Sequence, residues 1–128
     1  MRLYGIIAGA IVLAFGVGWI YGASGKSDLE LKGRSAIERA ETTEIRTRIL
    51  DGRVSLYQMN FGEATKHFAE AAASVERMQA VLREQGSADR VARLDVVLNH
   101  IREAQRLAVS LDQNAQNAAA EALKNLNQ

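Results

Sequence analysis

The 128-residue sequence contains no cysteine and no proline, and aromatic residues make up only 5% of it. Without cysteine there is no disulfide framework, no thiolate metal site and no cysteine nucleophile. Without proline the chain lacks the residue that interrupts helices, so long helices are the natural expectation. An excess of one charge is missing too. Sixteen Lys and Arg against fifteen Asp and Glu leave a formal net charge of +1, which argues against a strongly basic nucleic-acid binder and makes any electrostatic role local. No phosphate-cradling glycine loop, catalytic triad, Cys-x-x-Cys pair or aromatic nucleic-acid platform occurs. The chain is therefore expected to be non-catalytic, with no cofactor, no nucleic-acid partner and no small-molecule substrate.

The first feature present is an apolar run, Leu3 to Ala23, which carries no charge. As a helix it would span about 31 Å, the thickness of a bilayer's hydrocarbon core. Tyr4 at one end and Trp19 with Tyr21 at the other stand where amphipathic rings prefer the membrane interface. The run is longer than the apolar region of a usual signal peptide, which favours an uncleaved anchor. Within it Gly5, Gly9 and Gly16 share one helical face, an expected packing surface for another membrane helix. Lys26, Lys32, Arg34 and Arg39 after the run outnumber Arg2 before it. This predicts a single-pass protein of the inner membrane with its C-terminal domain in the cytoplasm.

Residues 1–25 thus read as a transmembrane anchor, 26–111 as a helical domain and 112–128 as a polar helical extension rich in Ala, Asn and Gln. Ser27-Asp28-Leu29-Glu30 matches a capping box that restarts a helix. From it Leu29, Ile37, Ala40, Ile45, Ile49, Leu56 and Met59 recur mostly at helical spacings, predicting one amphipathic helix to about Met59. Asn60 with Glu63 caps a second helix, whose stripe Phe61, Ala64, Phe68, Ala71, Val75, Met78, Leu82 alternates steps of three and four. Gly86 ends it and Ser87 opens a third. That helix carries Val91, Leu94, Leu98, Ile101, Ala104, Ala108 and Leu111, and its stripe continues weakly to Leu126. Short connections make the three antiparallel, so the expected fold is all-α: one N-terminal transmembrane helix, then an elongated antiparallel three-helix hairpin bundle. The extension, with alanine almost its only apolar residue, should fray unless a neighbouring surface holds it.

Gly52, Phe61, Ala64, Phe68 and Ala71 stand at the relative spacings of the small and aromatic packing positions in a tetratricopeptide repeat. Over these 20 or so residues the chain resembles a helical hairpin of that type. The repeat's tryptophan and closing proline are missing, and the pattern does not recur. The resemblance implies a protein-interaction role, in which small residues let two helices approach while aromatics fill the gap.

Two side-chain groups invite functional readings. Arg39, Arg46 and Arg53 recur every seven residues along one edge of the first helix, where they either cover its seam with their aliphatic stems or dock an acidic partner surface. Glu63, His67 and Glu70 share a helical face in an order that suits a metal, yet no second Glu-x-x-His motif is present to complete a carboxylate-bridged site. The function expected from the whole is a non-catalytic accessory subunit that braces or assembles a larger membrane complex. Photosynthetic reaction-centre, light-harvesting and respiratory complexes are among the hosts such a subunit serves. Its expected partners are other membrane subunits and the bilayer itself. The alternatives are an anchored adaptor that recruits soluble proteins and a minor metal or redox protein centred on His67.

Overall fold

In the computed structural model of the chain, secondary structure is described from Arg2 and side chains from Leu29 onward. The chain is all-α, with helices α1 (Arg2–Tyr57), α2 (Phe61–Glu84), α3 (Ala88–Val109) and α4 (Ala115–Leu126). It divides into two compact units, Met1–Ile37 and Glu38–Gln128. In the first, α1 runs on without a restart at Ser27, and Leu29, Leu31 and Ile37 are exposed. The second is a bundle of four helices.

The expected membrane architecture is corrected. No helix among the described residues is long and apolar enough to cross a membrane, which overturns the transmembrane fold and the single-pass localisation inferred from it. From Leu29 onward α1 carries a charged side chain in nearly every turn, from Glu30 to Arg53. The 12 residues of α4 would reach only about 18 Å against the roughly 30 Å of a hydrocarbon core. The side chains of the run Leu3 to Ala23 lie outside the described residues, and with them the packing of Gly5, Gly9 and Gly16 and the rings of Tyr4, Trp19 and Tyr21.

A second correction concerns the number of helices in the bundle, which is four rather than three because the predicted third helix breaks at Ser110. All three turns close in the same way. The backbone N–H groups of Asn60, Ser87 and Asp112 reach five residues back, to the carbonyls of Ser55, Leu82 and Leu107 at 2.8, 2.9 and 2.9 Å. The residue before each donates three back, Met59 to Leu56, Gly86 to Arg83 and Leu111 to Ala108, all at 3.0 Å. This is the Schellman closure, and it requires a left-handed residue at its corner. Met59 (φ 59°), Gly86 (φ 70°) and Leu111 (φ 57°) fill that position. After the corner Asn60 Oδ1 accepts from the Glu63 N–H at 3.2 Å and Asp112 Oδ1 from the Asn114 N–H at 2.8 Å, so the next helix begins at once.

Opposed ion pairs and hydrogen bonds give the bundle its register. Arg48 meets Glu70 at 2.6 Å and Glu44 meets Arg77 at 4.0 Å, which sets α1 antiparallel to α2. Gln79, almost wholly buried, donates to Asp95 at 2.6 Å, and Arg102 pairs with Glu76, which sets α2 antiparallel to α3. Arg53 Nε donates to Gln116 Oε1 at 3.1 Å and Arg46 Nη2 to Asn127 Oδ1 at 2.6 Å, so α4 runs antiparallel to α1 and closes the ring. Ile45, Ile49 and Leu56, Phe68 and Val75, and Ile101 are fully buried between the helices. They are joined by Ala115, Ala119 and Ala122 of α4, so the C-terminal extension is a wall of the core. Its alanines let the short helix approach closely, where larger side chains would hold it off.

The stripe expected on α1 resolves into two faces. Ile45, Ile49 and Leu56 point inward, whereas Leu29, Ile37, Ala40 and Met59 are exposed. The inward position between Ile49 and Leu56 is Gly52, and a Cβ built there would lie 2.5 Å from Phe68 Cε1.

Candidate functional site

Because the helices alternate in direction, the α1–α2 and α3–α4 turns fall at the same end of the bundle. Gln113 bridges them, its Nε2 donating to the Leu56 carbonyl at 3.4 Å and reaching Met59 Sδ. The corner residue of each turn is a large apolar side chain in the left-handed conformation. A non-glycine residue there costs about 1–2 kcal/mol, which burial of the side chain would ordinarily offset. Burial does not offset it here. Met59 is 64% and Leu111 68% exposed. Tyr57 and Val109, each two residues earlier, are exposed as well. Four large apolar groups thus stand on two adjacent turns, two of them on a strained backbone. Such strain and such exposure are each found where a surface has a task other than folding.

The arginine row of α1 has a divided placement. Arg39 is exposed, whereas Arg46 and Arg53 bond to α4. Gln116 also returns a hydrogen bond from its Nε2 to the Arg53 carbonyl at 2.9 Å, so this pair interlocks α1 and α4. His67 sits part-buried on the α2 face toward α1, with Nε2 3.9 Å from Glu63 and Nδ1 buried without a hydrogen-bond partner. Glu70 is drawn to Arg48. Among the described residues no three His, Cys, Asp or Glu side chains are placed to hold a metal ion.

The opposite end of the bundle is held by Arg90 at the start of α3, whose Nη1 and Nη2 donate to the Glu38 carboxylate at 3.2 and 2.7 Å. Beside it a cleft of about 200 Å³ is lined by Thr42, Met78, Leu82, Leu94, Val97 and Leu126, below the range of about 300–1,000 Å³ typical of small-molecule sites. The hydrogen bonds from Arg90 hold the Glu38 carboxyl below the usual carboxylate range, against the opposing effect of burial. A carboxyl lowered on folding stabilises the fold in full above its unfolded pKa of about 4.3, and that stability is lost as pH falls through the lower folded value. The pair is partly solvated, so its contribution is at most about 1 kcal/mol. Glu38→Gln is therefore expected to lower the melting temperature slightly at pH 7 and not at pH 2.5, checked by thermal unfolding at both.

No family model, curated protein or solved structure matches the chain.

Proposed function

We propose that the chain is a non-catalytic accessory protein that holds other proteins in an assembly, with the turn end of the bundle as its docking surface. The observation that carries this reading is the pair of exposed, left-handed apolar residues Met59 and Leu111. Glycine at either position would relieve the backbone, and the fold would lose no core side chain, only the contact of Met59 Sδ with Gln113. A side chain that is costly to the free protein and unused by its core is best accounted for by a contact made outside it. The partner that fits is a protein surface with an apolar depression. Tyr and Met are enriched at the centre of such contacts, where Leu adds apolar area, and the polar turn residues around them form a rim.

Stability and binding are then expected to move in opposite directions. Leu111→Gly relieves about 1–2 kcal/mol of backbone strain and returns up to about 1 kcal/mol through the greater freedom of the unfolded chain, a net gain of roughly 0.5–1 kcal/mol. The melting temperature should rise by a few degrees. In native sizing from its own cells the unaltered chain should run in a species much larger than itself. The Leu111→Gly, Met59→Gly double variant should leave that species and run no larger than one or two copies of the chain. An unaltered chain running alone, or a double variant that stays in the large species, would refute the reading.

A further inference from the structure

The face of α1 turned away from the bundle forms a second seam. In unit Glu38–Gln128 the positions Ala40, Thr43, Thr47, Leu50, Val54 and Tyr57 follow one another at steps of three and four, and all six are exposed. None carries a charge. The three largest are 43%, 53% and 72% exposed, so the seam is apolar toward its C-terminal end and small toward the other. In the sequence the same register extends back through Ala36, Gly33 and Leu29, again without a charge. An uncharged stripe with a period of 3.5 residues is the seam of a coiled coil, here without a partner helix in its own chain.

Charges along the two edges of this seam identify the partner. One edge, just before the first seam position of each heptad, is Arg39, Arg46 and Arg53. The other edge, just after the second, holds Glu44 and Asp51. In a parallel pair each residue of the first edge lies against the residue five positions later on the facing helix. A second copy of α1 therefore sets Arg39 against Glu44 and Arg46 against Asp51, twice over by symmetry. In an antiparallel pair like edges meet, arginine against arginine and acid against acid. Arg46 and Arg53 each give one of five N–H donors to Asn127 and Gln116 and keep the others for a second acceptor, and Glu44, 4.0 Å from Arg77 of α2, remains exposed. We infer that the chain self-associates as a parallel dimer, α1 against α1, through the outward seam Ala40 to Tyr57. This seam shares Tyr57 with the turn-end surface but does not include Met59 or Leu111.

The absence of cysteine makes the test direct, because any introduced thiol is unique. In a parallel two-fold pair equivalent seam residues face each other, within the Cα separation of about 4.4–6.8 Å that a disulfide needs. Oxidation of the full-length Val54→Cys chain, and independently of Thr47→Cys, should give a reducible species of twice the 14.0 kDa chain mass. A thiol on the far side of the bundle, at exposed Arg83, should give less than a tenth of that yield. Adding Leu50→Glu should reduce cross-linking at least tenfold and leave the helical circular dichroism of the folded chain unchanged, since Leu50 is outside the core. Glu44→Arg with Asp51→Arg should also abolish it, and Arg39→Glu with Arg46→Glu added to that chain should restore it. The inference is overturned if neither seam thiol cross-links in a folded chain, or if the Arg83→Cys control cross-links as well. Mixed Thr43→Cys and Val54→Cys chains that join to each other in preference to themselves would overturn the parallel arrangement.

Discussion

Replacing Phe68 by alanine is expected to destabilise the bundle by about 3–5 kcal/mol, a large share of the roughly 5–13 kcal/mol available to a domain of about 90 residues. The melting temperature should fall by about 15–30 °C, measured by circular dichroism. The reason is local. Phe68 is the largest fully buried side chain of the bundle, and its ring lies directly on the backbone of α1 at Gly52. This contact predicts a reversal of sign. In the unaltered chain Gly52→Ala should lose about 1–2 kcal/mol even though alanine is the better helix former by about 1 kcal/mol, because its Cβ would stand 2.5 Å from Phe68 Cε1 and 2.9 Å from Cδ1 and Cζ. In the Phe68→Ala chain that obstacle is gone, and Gly52→Ala should instead gain about 1 kcal/mol. A double-mutant cycle measures the difference directly as a coupling of about 2–3 kcal/mol. Additive effects would show that the glycine is not there for the ring.

The same contact shows how far the fold was legible from residue order. The stripe of α2 from Ala64 to Leu82 is buried as its spacing predicts, because its other faces are polar and only one register places apolar groups on a common side. Helix α1 has two uncharged faces, and spacing alone cannot tell which of them turns inward. Gly52 occupies an inward position with no apolar side chain to mark it, and only its spacing from Phe61 and Phe68 points to close packing there, while Leu29, Ile37 and Met59 have such a side chain and remain outside. The break after α3 was hidden for a different reason. Left-handed corners are recognised by glycine, and Gly86 is such a signal, but Leu111 carries the same conformation with a side chain that fits the preceding stripe. The available clue was the polar residue that follows each corner, since Asn60, Ser87 and Asp112 stand in equivalent places. Arg46 and Arg53 were legible as a row, whereas their partners Asn127 and Gln116 lie in a segment whose polarity suggested a loose tail. The turn-end surface was least legible. Exposure of Met59 and Leu111 is a property of the turns, and nothing in their spacing distinguishes them from core residues.

Ala119→Glu is expected to have an effect as large as the loss of Phe68, and for a reason that concerns α4 as a whole. Ala119 has no exposed surface, and it lies on the same face as Ala115 and Ala122, which are also fully buried. A carboxylate left there without a partner costs about 3–5 kcal/mol. A helix of 12 residues is at the lower edge of the length of about 12–15 below which a helix is marginal in water by itself, so α4 depends on docking for its structure. Once displaced, it loses the hydrogen bonds that Asn127 accepts from Arg46 and that Gln116 exchanges with Arg53, and it uncovers the apolar faces of α1 and α3 that it had closed. The expected result is a fall in melting temperature of about 15–30 °C, with the α4 amides exchanging their hydrogens before those of α2. Lys124→Glu, on the exposed face of the same helix, introduces the same group without burying it and should change stability by less than about 1 kcal/mol, through loss of the 3.6 Å pair with Glu121. Equal effects from the two substitutions would mean that α4 is held by its polar contacts alone. A large difference between them would mean that the alanine face itself keeps the bundle closed.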